Sequence, residues 1–139
     1  MALAQVKLIV DVTLFSDGST ALLKYTAGPD DQGGWFIPND QLVDPEDPYD
    51  AARRLVKDQV GIEIAKAELV DIESFKGRDG SWHLAVHFRA ALASSVKLSP
   101  GEGVAEVRWF PMDELPATSA VAHHGWYLDV IAQAAQRAA

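Results

Sequence analysis

Gly33-Gly34-Trp35-Phe36-Ile37-Pro38-Asn39-Asp40, followed by an acidic loop and the run from Pro48 to Gly61, is the stretch on which the fold of this chain turns. Its aromatic and apolar residues predict a strand that ends at Pro38, because proline has no N–H to give to a ladder. The loop carries Asp44 and Glu46. Asp47 is placed to cap the next helix, with Pro48 at its first position and Asp50 three residues on, a variant of the capping box, and Gly61 ends it. The unit therefore reads strand, loop, helix, and such a loop can hold a ligand.

Around this unit the chain is punctuated regularly. Val6, Leu8, Val10, Val12 and Leu14 alternate with Lys7, Ile9, Asp11, Thr13 and Phe15, a period of two that predicts a strand with one face mostly buried. Asp17-Gly18 predicts a tight hairpin turn, since both residues tolerate positive φ, and 20–26 is the returning strand. The turn formers of Gly28 to Gly34 predict a loop, placed as a mobile loop beside a cleft. Residues 68–76 and 82–92 predict two further strands joined by Gly77-Arg78-Asp79-Gly80, with Trp82, Leu84, Val86 and Phe88 on one face and His83, Ala85, His87 and Arg89 on the other. Val104 to Phe110 predicts another strand, and the spacing of Trp126, Val130, Ile131 and Ala134 within 120–138 predicts an amphipathic closing helix.

Composition narrows the function classes. With 139 residues, 48% of them hydrophobic, the chain is expected to form a single domain over 1–139 with a working core. No apolar run reaches the roughly 18 residues that a membrane span requires, and the first residues lack the basic and apolar regions of a signal peptide. The absence of cysteine excludes disulfides and thiolate metal sites, and makes the cytoplasm the default location. A formal charge of −8 argues against binding of nucleic acid through its backbone, while leaving room for a nucleotide whose phosphates a local cation offsets. His83 and His87 do not suggest zinc: four residues along a strand span roughly 13 Å, too far for one ion. Each is expected on a sheet face, and either alone can contact a ligand. His123 and His124 are adjacent on the predicted helix and point apart.

The stretch 40–62 resembles the Nudix box, whose pattern is glycine, any five, glutamate, any seven, then Arg-Glu-U-x-Glu-Glu-x-Gly-U with U a bulky aliphatic. Glu46 falls on the first glutamate, Arg54 on the arginine, Val56 and Ile62 on the aliphatics and Gly61 on the glycine. Asp40 stands at the first glycine, Leu55 at the glutamate after the arginine, and Asp58 and Gln59 at the glutamate pair. The passage from Glu106-Val107-Arg108-Trp109-Phe110 into Met112 to Pro116 resembles the end of many Nudix domains. The resemblance implies an α/β fold, an α/β/α sandwich with a mixed, mostly antiparallel sheet between the box helix and the C-terminal helix.

It also implies a chemistry. In that family the box helix supplies carboxylates to magnesium or manganese, bound with the diphosphate of a nucleoside diphosphate linked to another group, so an active protein would be a metal-dependent pyrophosphohydrolase. By resemblance Glu46, Arg54 and Asp58 are the catalytic candidates, Glu46 and Asp58 the residual metal pair, and Trp35 and Gln59 the candidates for contact with a nucleotide-like substrate. Trp35 suits stacking on a base, and equally a core position. Positions 55, 58 and 59 share one helical face, by resemblance an open cleft wall, the alternative being Leu55 packed in a core or dimer interface; here the face offers Leu55, Asp58 and Gln59. Arg54 is four residues from both Asp50 and Asp58, a spacing that predicts exposed pairs worth about 0.3 to 0.5 kcal/mol each. Two function classes follow: a divergent hydrolase of weak or lost activity, drawing a base from Glu102 or Glu106, and a non-catalytic domain binding a nucleotide-like ligand or a partner. The sequence leaves oligomeric state open, a homodimer being common among proteins of the family it resembles.

Overall fold

The computed structural model describes residues 5–26, 34–77, 79–94 and 96–137. The turn-rich residues 28–33 and the loop expected there lie outside the described residues. Strands β1 (Val6–Ser16), β2 (Ser19–Tyr25), β3 (Asn39–Gln41), β4 (Glu68–Lys76), β5 (Trp82–Ala91) and β6 (Val104–Pro111) form one sheet, ordered β4-β5-β1-β2-β6 with β3 beside β1. Asp17 (φ 49°) and Gly18 (φ 74°) both take left-handed conformations, the hairpin geometry their sequence predicts. The β1–β5 pairing is parallel, running from Val6 opposite Trp82 to Phe15 opposite Ala91, and the other pairings are antiparallel. The sheet is thus mixed and mostly antiparallel.

Helix α1 (Pro48–Val60) is capped as its sequence predicts: Asp47 accepts a hydrogen bond from the Tyr49 N–H, and Gly61 closes the C-terminus at φ 76°. It covers one sheet face, burying Ala52, Leu55, Val56 and Val60 against Val10, Val12, Leu14 and Phe88. Helix α2 (Trp126–Gln136) covers the other, where Tyr127, Val130 and Ile131 pack with Leu22, Trp35, Ile37 and Phe110. Among the described residues no helix is long and apolar enough to cross a membrane.

Three elements differ from expectation. The aromatic stretch is not a continuous strand: Phe36 bridges Leu23 of β2, the Val12 N–H donates to the Pro38 carbonyl (3.0 Å), and regular pairing with β1 begins only at Asn39. Beyond their turn β1 and β2 pair at Phe15–Thr20 and Ser16–Ser19, and residues 36–41 wedge between them where they diverge. Second, the closing helix begins at Trp126, not near 120, because the chain first makes a 3-10 turn at Thr118–Ala120 and then a short turn at His123–Gly125 whose residues take φ of 56°, 57° and 80°. His123 and His124 therefore belong to a left-handed turn, and not to a helix. Third, the polar side of β1 is no exposed face: Asp11 and Thr13 are as fully buried as Val10 and Val12, because α2 and the turns before it lie on that side.

Candidate functional site

The box arginine is the hub of an ionic cluster at the mouth of the β3–α1 loop. Arg54 holds Glu46 with two parallel bonds, Nε to Oε2 at 2.7 Å and Nη2 to Oε1 at 3.1 Å, and donates from Nη1 to Asp40 Oδ2 at 2.9 Å and from Nη2 to the Gln41 carbonyl at 3.2 Å. The bridges expected to Asp50 and Asp58 are absent, and Asp50 pairs with Arg53 instead. The reason is geometric: a planar guanidinium matches a carboxylate two-pronged, and the loop brings Asp40 and Glu46 into its plane, whereas a neighbour one helical turn away offers a single-point contact. Asp40, standing where the family pattern has glycine, supplies the second carboxylate. The guanidinium bonds hold the Glu46 carboxyl below the usual carboxylate range, and the same bonds push the arginine up.

Removing that hub leaves Asp40 and Glu46 facing one another without a cation. Arg54→Ala is expected to cost about 1 to 2 kcal/mol, more than exposed helix pairs would. The Glu46 share of this is present above its ordinary carboxylate pKa and lost as pH falls through its depressed folded value. Urea melts of both proteins at neutral and acid pH check this; equal stabilities at neutral pH would contradict it.

The face expected as an open cleft wall divides three ways. Leu55 is 0% exposed and belongs to the core under α1, which corrects its placement on an open wall. Its side chain follows the stripe of Ala51, Ala52, Val56 and Val60 rather than the positions three and four residues on. Gln59 is tied to the sheet: its Oε1 accepts from the Tyr25 hydroxyl at 2.8 Å and from the Asn39 N–H at 3.3 Å, and its Nε2 donates to the Asn39 carbonyl at 2.7 Å. Burial, followed by weaker influences that include the charges of Asp40 and Asp11, pushes the Tyr25 phenol well above its ordinary value, so it stays a donor. Asp58 alone remains exposed, with no side-chain hydrogen bond or ion pair to a described residue.

The segment after β5 closes on the end of α1. The Ser99 and Gly101 N–H groups donate to the Val60 and Gln59 carbonyls at 2.9 and 3.0 Å, and a Cβ on Gly101 would lie 1.7 Å from the Asp58 carbonyl oxygen, so that position requires glycine. Glu102 and Glu106 are exposed, Glu106 on β6 opposite Lys24. Trp35 is 5% exposed, edge-on to Phe110 at 4.9 Å, with Lys24 Nζ 4.7 Å and Arg108 Cζ 5.1 Å from its ring centroid. Its ring is packed within the chain, as the core role weighed from sequence requires.

One polar cluster had no place in the sequence reading. His87 Nδ1 lies 2.7 Å from Asp11 Oδ2, and Nε2 lies 3.0 Å from Glu73 Oε1. Asp11 is the lone charge in the apolar run from Leu8 to Phe15, and it is directly opposite His87 in the parallel register. That lone charge was the available signal, since a buried carboxylate requires a partner. A shallow depression of about 400 Å³, lined among others by Gly34, Thr118, Ser119, His123 and His124, includes none of these residues and none of the box.

Comparison with known proteins accords with this architecture. The fold superposes on a MutT NUDIX hydrolase of Burkholderia pseudomallei (TM-score 0.77, 22% identity, 93% of this chain and 98% of that one) and on a MutT/nudix family protein of Enterococcus faecalis (TM-score 0.80, 18% identity, 99% and 63%). It also superposes on the NUDIX domain of Shewanella oneidensis NrtR, solved with ADP ribose (TM-score 0.73, 17% identity, 100% and 91%). No curated protein matches the sequence. The NUDIX domain profile matches residues 7–130, nearly the whole chain, and the protein belongs to that family.

Proposed function

We propose that this protein binds a nucleotide-like ligand of the nucleoside-diphosphate-linked kind on a Nudix fold, with metal-dependent cleavage weak or lost. One observation carries the reading: of the three box positions that would present carboxylates, one is core leucine, one is a glutamine spent on Asn39 and Tyr25, and only Asp58 is available. Nudix hydrolases generally use divalent cations. Magnesium is a hard ion that takes several oxygen ligands. Both oxygens of Glu46 are held by Arg54, and among the described residues no three carboxylates or imidazoles are arranged to hold a metal. These residues do not fit magnesium or manganese, and no catalytic step is derived through either.

The ligand class rests on the family and on the ADP-ribose complex of the NrtR domain. A second reading, a weak hydrolase in which Asp58 works with a base from Glu102 or Glu106, draws on the contact of Gly101, the residue before Glu102, with the Asp58 carbonyl at the end of α1.

A thermal-shift panel of ADP-ribose, nucleotide sugars, dinucleotides and nucleoside triphosphates, run with and without magnesium, separates the two. The binder is expected to be stabilised equally in both conditions, because a ligand at free concentration L adds RT ln(1 + L/Kd) to stability and a Kd that involves no metal does not change with magnesium. Calorimetric titration of magnesium without nucleotide should find no tight site, and chromatography should find the nucleotide uncleaved. Stabilisation that requires magnesium, or product formation, would favour the hydrolase.

A further inference from the structure

The imidazole of His87 is hydrogen-bonded at both nitrogens to carboxylates from two other strands, Asp11 of β1 and Glu73 of β4. A neutral imidazole has one N–H and a carboxylate has none, so two such bonds require two protons. The trio as built holds them either as imidazolium between two carboxylates or as neutral imidazole with one carboxylic acid. Its net charge is −1 in both forms. Losing one proton sets two lone pairs against each other across one contact and leaves two negative charges in a buried setting.

The burial of the three residues decides which contact then fails. Asp11 is 0% exposed on the central strand and has nowhere to go. The Glu73 side chain is 41% exposed on the edge strand and can turn to water. We propose that Asp11, His87 and Glu73 form a proton-operated latch, which ties edge strand β4 to the strand pair β1–β5 while it keeps two protons and releases the Glu73 carboxylate when the second is lost.

The surroundings favour retention of the second proton. From β4, Asp71 adds negative charge nearby; the Gln133 amide of α2 lowers its carboxyl most, and His87 lowers it further. From α2, Trp126 packs its ring on His87 at 5.5 Å and on Phe75 of β4 at 5.3 Å, spanning the latch, while burial keeps the Tyr127 phenol protonated. The Tyr25 phenol of β2 is likewise held protonated. The next cation along β5, Arg89, turns to Glu68 at 3.7 Å. Burial by itself lowers His87, but its bonds and charges from Asp11 and Glu73 together raise it above 6.5, while burial raises Asp11. A raised histidine stabilises the fold fully below its unfolded value and loses that contribution as pH rises through the folded one, so release belongs to the side above pH 6.5.

The latch stands whether or not the ligand-binding reading does, and its test uses no ligand. Ring-nitrogen NMR of His87 from about pH 5.5 to about 9.5, a span that covers ordinary imidazoles, follows the proton, and amide exchange corrected for its intrinsic rate follows β4. His87 is expected to titrate above an ordinary histidine, with β4 protection falling at the same midpoint. Glu73→Gln, half-exposed and tolerable to the fold, can donate to or accept from Nε2; it should lower the midpoint and abolish the step in β4. An ordinary His87 midpoint, flat β4 protection through the titration, or a step that persists in Glu73→Gln would overturn the proposal.

Discussion

Leu55→Glu, which restores the family residue at that position, should destabilise the fold by about 3 to 5 kcal/mol. Leu55 is fully buried among Val12, Ala52, Val56 and Phe88, so the change removes an apolar side chain worth about 1.5 to 3 kcal/mol of burial and leaves a carboxylate in its place. The helix cannot turn to present it. Asp47 and Gly61 fix its two ends, Arg54 holds it to the loop, and Gln59 holds it to β3. Magnesium should restore little, since the new group points into the core. Denaturant melts of the variant with and without magnesium check this. A loss below about 1 kcal/mol together with strong stabilisation by magnesium would mean that position 55 opens to a cleft. Gln59→Glu carries a smaller cost, because a carboxylate has no N–H for the Asn39 carbonyl.

His87→Ala should cost about 3 to 5 kcal/mol at neutral pH, the usual result of removing one partner from a buried charged pair. Asp11 then lies in the core with neither of its carboxylate oxygens bonded, since Oδ1 has no partner among the described residues even in the intact protein. The penalty should shrink in acid. With burial raising the Asp11 carboxyl and no imidazole left to oppose it, the folded variant takes up a proton as pH falls, and the buried charge disappears. Replacing both partners, as Asp11→Val with His87→Leu, should recover most of the loss, because an apolar pair needs no desolvated charge. Melts of the three proteins at pH near 7 and near 5 decide the matter: a single variant as stable as the parent, or a double variant worse than the single one, would show that the pair is not the source of the cost.

What was legible in the sequence was local. The alternation of β1, the Asp17-Gly18 turn and the caps of α1 are encoded within a few residues of where they act, and the structure has them there. The partners of Arg54 were missed because helix spacing counts only neighbours on the helix, while Asp40 and Glu46 reach it from the loop. Leu55 was misplaced for a different reason. Alignment to the family pattern put it on the ligand face, although Ala51, Ala52, Leu55, Val56 and Val60 already trace a buried helical stripe that needs no family. The wedge at 36–41 and the late start of α2 depend on where β1 and β2 part and on three consecutive left-handed residues, neither of which periodicity reports.

The parallel ladder between β1 and β5 joins two hairpins, β1–β2 and β4–β5, that lie far apart along the chain. Val10, Val12 and Leu14 from the first and Val86, Phe88 and Ala90 from the second share one apolar cluster under the same helix. The β4–β5 hairpin therefore has its core only through this shared cluster, and a two-stranded ribbon without a core is at best marginal in water. Loss of the ladder exposes that shared cluster from both sides at once, which makes the sheet a cooperative unit that depends on a long-range parallel pairing.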